Sequence, residues 1–181
     1  MRIIAGQFRG TALASVGKGD QGAHLRPTTD RVRESLFNVL IGGKYDDPIT
    51  GMNVLDLFAG TGALGLEALS RDAAHVTFVD DGRKAGSLIR ENIRLTNSKA
   101  TTRLINRDAT RLPNCDSQAA MLVFLDPPYG KGLGLKALQS AVQSGWVAPE
   151  ALIIWEENAP QAAPSGFTLL DTRKYGDTHI S

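Results

Sequence analysis

The chain has 181 residues, 42% of them hydrophobic and 22% charged, with a net charge of +1. This length suits one sizeable hydrophobic core, and this composition excludes a disordered, collagen-like or coiled-coil protein. The sequence contains no apolar run long enough to span a membrane and no signal-peptide pattern, and its single cysteine excludes an internal disulfide. We therefore expect a single domain over residues 1–181, located in the reducing cytoplasm.

Positive charge is concentrated at the N-terminal end. Residues 1–40 carry six cations and three anions, a net +3, whereas the rest of the chain carries a net −2. A basic segment of this kind is either a solvated surface or a surface that meets a polyanion such as RNA. The sequence thus divides into an N-terminal extension, residues 1–44, which is a candidate RNA-facing segment, and a core, residues 45–181.

The extension is predicted to contain a hairpin, a loop and a helix. Apolar runs broken by glycine predict the hairpin over residues 3–13, and the glycine-rich, polar stretch 15–28 predicts the loop. Thr29 is a candidate N-cap, the apolar residues between Val32 and Leu40 supply a helical face, and Gly42 ends the helix.

The core alternates between short apolar runs and helical patterns. Five apolar runs predict strands, over residues 54–58, 76–79, 102–105, 121–125 and 151–155. Helical spacing follows the first, second and fourth of these runs, and a final hairpin with its turn at Gly176-Asp177 adds two strands. The alternation predicts an α/β fold with a doubly wound, mostly parallel, seven-stranded sheet.

Four of the predicted strands carry an acidic residue at or just beyond their carboxyl end. These residues are Asp56, Asp80, Asp108 and Asp126. In doubly wound sheets, ligands bind beyond the carboxyl ends of the strands. A single acid could be a helix cap, but four at one edge predict a shared site.

A glycine-rich loop follows the first strand of the core. Gly60-Thr61-Gly62-Ala63-Leu64-Gly65 matches G-x-G-x-x-G, and Asp80 lies 20 residues after Gly60. This pattern is typical of a site for an adenosine-containing cofactor, with the acid placed for a ribose hydroxyl. Asp56 precedes the loop, and its carboxylate would repel a pyrophosphate but attract an ammonium group. The pattern therefore favours S-adenosylmethionine over a nicotinamide dinucleotide.

The tetrapeptide Asp126-Pro127-Pro128-Tyr129 follows the fourth strand and suits methylation of an exocyclic amino group. Such a nitrogen is a poor nucleophile because its lone pair is delocalised into the base. The Asp126 carboxylate and the Pro127 carbonyl can accept its two hydrogens, and the two prolines fix the backbone. Tyr129 offers a ring on which an extruded base can stack. These four residues are the candidate catalytic residues.

With these motifs the chain resembles the class I, Rossmann-like methyltransferases, and more closely the bacterial ribosomal RNA small subunit methyltransferase D family. The resemblance covers nearly the whole chain and rests further on residues 2–10 and 26–38. It implies methylation of guanine N2 in 16S ribosomal RNA by a cytoplasmic monomer. The implied cofactor is S-adenosylmethionine, and the implied partner is 16S ribosomal RNA or an assembling small subunit, without a metal or a membrane.

The motifs and the resemblance together give the expected site residues. Cofactor contacts are expected at Asp56, Phe58, Ala59, Gly60, Gly62, Asp80, Asp81, Asp108 and Ala109. The resemblance implies that Asp80 binds the ribose hydroxyls and that Asp108 binds the adenine amino group. Contacts to RNA are expected in the N-terminal extension, at Arg2, Arg9, Arg26, Thr28, Arg31 and Arg33.

Three alternatives remain open at this point. An N6-adenine methyltransferase acting on DNA or RNA would use the same tetrapeptide, although only 52 residues follow Tyr129 to supply a target-recognition region. A non-catalytic module could hold RNA or cofactor, but the intact tetrapeptide argues against it. An NAD-dependent oxidoreductase would share the glycine loop and would have no evident use for the tetrapeptide.

Overall fold

The computed structural model describes residues 1–15 and 29–181. The helices in these ranges are α1 (Asp30–Ile41), α2 (Ala63–Ser70), α3 (Arg83–Leu95) and α4 (Leu133–Gln143). The strands are β1 (Asn53–Leu57), β2 (His75–Val79), β3 (Thr102–Ile105), β4 (Ala120–Leu125), β5 (Val147–Glu157), β6 (Arg173–Tyr175) and β7 (Thr178–Ile180).

Among the described residues, no helix combines the length and the apolar character needed to cross a bilayer. The loop predicted over residues 15–28 falls almost entirely outside the described residues.

The described strands form one sheet of seven, in the order β3-β2-β1-β4-β5-β7-β6. The first five strands pair in parallel, and β7 pairs antiparallel with both β5 and β6. This arrangement confirms the predicted doubly wound, mostly parallel sheet. The strand order reverses between β1 and β4, and this reversal opens a crevice at their carboxyl ends.

Both faces of the sheet are covered, which explains the nearly continuous apolar runs of its strands. Alternate residues point to opposite faces. Val54 of β1 joins the cluster that contains the buried residues of α1 and α2, whereas Leu55 joins the cluster around α4. Asp56, the next residue, therefore returns to the face that α2 covers.

Helix α1 has the boundaries that its sequence predicts. The Thr29 hydroxyl accepts a hydrogen bond from Val32 N at 3.3 Å, and Gly42 is the C-cap. Leu36, Phe37 and Leu40 are buried against the sheet, and the Phe37 ring lies 5.8 Å from the Phe124 ring of β4.

The N-terminal segment, residues 1–15, folds back on itself as the predicted hairpin does, but its pairing is short. Arg2 forms an antiparallel bridge with Ala12, flanked by hydrogen bonds from Ile3 N to Thr11 O at 3.0 Å and from Leu13 N to Met1 O at 3.1 Å. The segment packs on the end of α2. Gly6 has φ +81°, and a Cβ there would lie 1.7 Å from the Ser70 carbonyl oxygen, so only glycine fits this contact. Ser70 Oγ also accepts a hydrogen bond from Phe8 N at 2.9 Å.

Glu67 of α2 is fully buried and binds the N-terminal segment directly. Its carboxylate accepts hydrogen bonds from Ile4 N at 2.8 Å and Ala5 N at 3.1 Å. The same carboxylate accepts a hydrogen bond from Arg71 Nε at 2.9 Å and lies 3.8 Å from the Arg33 guanidinium. One buried acid thus joins α1, α2 and the N-terminal segment.

Asn92 of α3 makes a second buried connection. Its side chain accepts a hydrogen bond from Ala14 N at 2.7 Å and donates to Ala14 O at 3.1 Å. It also donates to the Thr61 carbonyl at 2.8 Å. The Asn92 side chain therefore ties the N-terminal segment to the glycine loop.

Candidate active site

Three acidic side chains meet on one face of the sheet because of the strand register. Asp56 of β1 pairs with Phe124 of β4, and Phe124 pairs with Ile154 of β5. Asp126 and Glu156 lie two residues beyond Phe124 and Ile154, so alternation places them on the same face as Asp56. These acids lie at the crevice where the strand order reverses.

The glycine loop, residues 60–65, uses its backbone donors within the protein. Gly60 N donates to Asp80 Oδ2 at 2.9 Å, Gly62 N to Ala59 O at 2.7 Å, and Gly65 N to Asp56 Oδ2 at 3.0 Å. In a dinucleotide site the corresponding amides face the pyrophosphate. Here Asp80 and Asp56 accept the hydrogen bonds of two of these amides, which are therefore not available to a phosphate. This donor set suits a cofactor that carries positive charge and lacks phosphate.

Close packing explains the glycines of this loop. Gly62 has φ +76° and is the N-cap of α2. A Cβ at Gly65 would lie 2.5 Å from the Phe78 ring and 3.0 Å from Asp56 Oδ2. The loop can therefore lie directly on the ends of β1 and β2 only with small residues at these positions.

Asp80 and Asp108 occupy different environments at the sheet edge. The Asp80 carboxylate accepts hydrogen bonds from Gly60 N and Gly82 N, and burial nevertheless raises its pKa. Asp108 is exposed and accepts hydrogen bonds from Thr110 N and Thr110 Oγ1, which lower its pKa. Asp80 is thus held inside the site, whereas Asp108 caps a short 3₁₀ turn over Ala109–Arg111.

The remaining predicted cofactor residues surround this edge. Phe58 and Ala59 are half-buried, Ala109 is buried and Asp81 is exposed. Phe58 has φ +59°, a left-handed conformation that is uncommon for a residue of this size. Such strain persists only where the surrounding structure holds it, and it is concentrated at binding sites.

Asp56 is an acid whose environment favours the neutral form. Asp56 is only 2% exposed, and burial raises the pKa of its carboxyl group to about 8. The hydrogen bond from Gly65 N opposes this shift, and the charge of Asp80 adds to it. A positively charged group bound nearby would favour the ionised carboxylate.

Replacing Asp56 with asparagine is expected to remove a pH dependence of stability. Between the ordinary aspartate pKa of about 3.9 and the folded value of about 8, the folded state retains a proton that the unfolded state releases. The wild type therefore loses stability as the pH rises through this range, by at most about 1.4 kcal/mol per pH unit from this group. Asparagine keeps an acceptor for Gly65 N but does not titrate.

Urea denaturation of both proteins across roughly pH 5 to 8 measures this effect. The free energy of unfolding of the variant should rise relative to that of the wild type as the pH increases. A difference between the two proteins that stays constant over this range would contradict the assignment.

The candidate catalytic residues, Asp126 to Tyr129, come directly after the last residue of β4. Asp126 N donates to Leu57 O at 3.4 Å, which fixes the turn beside β1. Burial raises the pKa of the Asp126 carboxyl group well above its ordinary value, and the charges of Glu156, Asp56 and Glu157 add to the increase. Pro127 is buried, and Pro128 and Tyr129 are half-buried.

Sequence reasoning overlooked two acids at the end of β5. Glu156 and Glu157 are each 6% exposed, and both act on Asp126 electrostatically. Their sequence signal is the one used for the other strands, an acid directly after an apolar run. In the described ranges, no group of three or more histidine, cysteine or acidic side chains is placed to hold a metal ion.

The predicted RNA-contacting residues differ in where the structure places them. Arg2, Arg9 and Arg31 are exposed, whereas Arg26 and Thr28 lie outside the described residues. Arg33 is fully buried, and its Nη2 donates to Asp30 Oδ1 at 2.5 Å and to Arg2 O at 2.8 Å. The prediction that Arg33 contacts RNA phosphates is therefore wrong, because this guanidinium lies within the contact between α1 and the N-terminal segment.

Known proteins resemble this chain over most of its length. A family model described as conserved hypothetical protein 95 matches residues 1–181. The ribosomal RNA small subunit methyltransferase D of Escherichia coli (strain K12) is 38% identical over 172 residues, which cover 93% of this chain and 82% of that protein. The Haemophilus influenzae protein of the same name is 36% identical over 181 residues, covering 97% of this chain and 89% of that protein.

A solved structure shares the fold. The Escherichia coli protein yhhF, described as a proposed methyltransferase, superposes with a TM-score of 0.80 at 35% identity. The match covers 99% of this chain and 94% of that one. Together with the strand order, this likeness confirms the predicted Rossmann-like fold of the class I methyltransferases.

Proposed function

Because this chain belongs to the conserved hypothetical protein 95 family, together with proteins named ribosomal RNA small subunit methyltransferase D, we propose that it methylates ribosomal RNA. The proposed reaction transfers a methyl group from S-adenosylmethionine to the exocyclic N2 amino group of a guanine in 16S ribosomal RNA. Such a substrate is met in the cytoplasm, either as RNA or as an assembling small subunit.

One observation carries the proposal: the turn from Asp126 to Tyr129 stands at the crevice between β1 and β4, beside the glycine loop. The Asp126 carboxylate and the Pro127 carbonyl can each accept one hydrogen of an amino group. Two acceptors in these positions draw the nitrogen towards tetrahedral geometry and localise its lone pair. The half-buried ring of Tyr129 offers a stacking surface for the base that carries this nitrogen.

Asp126 can also take up a proton. Methyl transfer would form a C–N bond as the methyl–sulfur bond breaks and the neutral thioether leaves. The nitrogen would then carry a positive charge, which is removed when one N–H proton departs. Burial and three neighbouring acids raise the pKa of Asp126, so its carboxylate is more basic than an exposed one. The same carboxylate can therefore first hold the amino group and then receive its proton.

The glycine loop supports S-adenosylmethionine as the cofactor. When bound, this cofactor supplies an electrophilic methyl group on a sulfonium ion. Asp56 and Asp80 lie beneath the loop, where a bound cation would favour their ionised forms, and they already use the amides of Gly65 and Gly60. The residues present thus suit a cationic, phosphate-free cofactor, and in this proposal Asp80 binds its ribose hydroxyls.

The test is methyl transfer from labelled S-adenosylmethionine to 16S ribosomal RNA and to small subunits from cells that lack the protein. Mass spectrometry of the digested nucleosides should then show labelled N2-methylguanosine. Labelled N6-methyladenosine would instead favour the adenine alternative, and the absence of any labelled nucleoside would contradict the proposed reaction.

Replacing Arg9 and Arg31 together with glutamine is expected to weaken RNA binding and to reduce its dependence on salt. Both side chains are exposed in the basic N-terminal extension. Each phosphate neutralised on a single strand contributes about −0.7 to the slope of log K against log salt, so the double variant should flatten the slope by about 1.4. Binding titrations over a series of salt concentrations measure this slope.

A matched control is Lys99→Gln. Lys99 is exposed just before β3, at the opposite edge of the sheet from the crevice. This variant should leave the salt slope unchanged, and both variants should bind S-adenosylmethionine as the wild type does. An unchanged slope in the Arg9 and Arg31 double variant would place the RNA-contacting surface elsewhere.

A further inference from the structure

Two acids at the end of β5, Glu156 and Glu157, hold the turn that follows Asp126 in addition to acting on its charge. The Tyr129 hydroxyl donates to Glu156 Oε1 at 2.7 Å. Gly130 N donates to Glu157 Oε1 at 3.2 Å, and the same oxygen accepts from Asn158 N at 3.0 Å. Carboxylate acceptors form stronger hydrogen bonds than neutral ones, so the turn is fixed at two successive residues.

The contact between Tyr129 and Glu156 holds the hydroxyl end of an aromatic ring in place. A tyrosine side chain has two torsions, and a ring with a free hydroxyl can rotate about both of them. The hydroxyl here lies between Glu156 and Thr178, at 2.7 Å and 3.2 Å. Because Thr178 lies on β7 and Glu156 pairs with Ile180 of the same strand, the final hairpin contributes to this support.

The contact between Tyr129 and Glu156 lies beside Asp126, where the target base is proposed to bind. Glu156 stands on the same face of the sheet as Asp126, two residues beyond the register pair of Phe124 and Ile154. One face of the Tyr129 ring can serve as a stacking surface only if the ring is held beside Asp126. Burying an acid at this position is costly unless its hydrogen bond is used.

We propose that Glu156 is a positioning residue, which holds the Tyr129 ring in the orientation that stacks the target base beside Asp126. This inference rests on the proposed function, since it assumes that a nucleobase enters the site. Glu156 touches neither base nor cofactor in this role and acts through the Tyr129 hydroxyl. It is thus an element of the site that lies outside the Asp126–Tyr129 tetrapeptide.

The test compares Glu156→Ala, Glu156→Gln, Tyr129→Phe and the double variant Tyr129→Phe with Glu156→Ala. The assay is steady-state methyl transfer to small subunits from cells lacking the protein. Loss of a hydrogen bond to a charged group should lower kcat/KM for RNA by about 10- to 100-fold in Glu156→Ala. Glu156→Gln keeps an oxygen acceptor and should recover most of this loss.

Coupling distinguishes positioning from a general structural role. If Glu156 acts through the hydroxyl, the double variant should be no slower than the slower single variant. Cofactor affinity should stay within about twofold in all four variants, because the glycine loop is untouched. Glu150→Gln, an exposed glutamate on the same strand, is the matched control and should retain wild-type activity.

The pH profile provides an independent measurement. Asp56, Glu156, Glu157 and Tyr129 are the titratable groups that act on Asp126, and His179 faces Glu157 from β7. Removing the Glu156 charge should lower the pKa of Asp126, so the acidic limb of the rate profile should move to lower pH in Glu156→Gln. Tyr129→Phe keeps this charge and should leave the limb in place.

The outcomes separate this inference from the proposed function. A wild-type protein that methylates no RNA overturns both. An active wild type whose two single-variant losses add in the double variant overturns the positioning role alone, as does a Glu156→Gln variant as slow as Glu156→Ala. If Glu156→Ala does not fold, Tyr129→Phe decides the question, because a variant that lacks the hydroxyl and keeps the wild-type kcat/KM overturns the positioning role.

Discussion

Replacing Asp126 with alanine is expected to slow methyl transfer by about 10²- to 10³-fold while leaving the affinity for S-adenosylmethionine within a few fold. Loss of one preorganised polar contact at a reacting group costs about 2.7–4 kcal/mol in other enzymes. Asp126 lies after β4, whereas the glycine loop lies between β1 and α2. The variant therefore removes a contact to the target amine and leaves the cofactor side of the crevice intact.

Single-turnover transfer from labelled cofactor measures the chemical step, and calorimetry measures cofactor binding. Asp126→Asn is the informative companion variant, because it keeps an oxygen acceptor of the same size and loses the ability to take up a proton. It should be faster than Asp126→Ala and slower than the wild type. An alanine variant that retained most of the single-turnover rate would remove Asp126 from the mechanism.

Replacing Glu67 with alanine should destabilise the fold more than any other substitution considered for this chain. Removing one partner of a buried ion pair costs about 3–5 kcal/mol, because the remaining charge stays buried and unpaired. Here the loss would leave the Arg33 and Arg71 guanidinium groups without a buried carboxylate and the amides of Ile4 and Ala5 without an acceptor. For a chain of this size, the melting temperature should fall by roughly 6–20 °C.

Chemical denaturation and thermal melting measure this effect. The matched control is Glu34→Ala, which removes an exposed glutamate from α1 and should change the free energy of unfolding by no more than about 0.5 kcal/mol. If the Glu67 variant melted within a degree or two of the wild type, the buried network would not contribute as the structure indicates.

Local sequence patterns predict those parts of this fold that local physics determines. The N-cap at Thr29 and the glycine at position 42 gave the bounds of α1, and the alternation of apolar runs with helical spacing gave the parallel sheet. The same alternation predicted that Asp56 and Asp126 lie at the carboxyl ends of β1 and β4. In these cases the determining residues are close neighbours in sequence.

Contacts between distant residues explain what local patterns missed. Arg33 lies four residues before Phe37 and therefore on the buried face of α1, but its charge suggests exposure until Glu67 is seen beside it. The role of Glu156 depends on the register between β4 and β5, which no local pattern reports. The final hairpin is also shorter than its prediction: the sequence pattern predicts its first strand over residues 167–175, whereas β6 covers only Arg173–Tyr175.

The attachment of the N-terminal segment also constrains the order in which the molecule can fold. The amides of Ile4, Ala5 and Phe8 bond to α2 across 62 or 63 residues of sequence, and Ala14 bonds to Asn92 across 78. These residues precede α2 and α3 in the chain, so during synthesis they have no partners until both helices have followed them. The basic segment therefore joins the fold late, and a truncation that removed it would take away the backbone partners of Glu67 and Asn92.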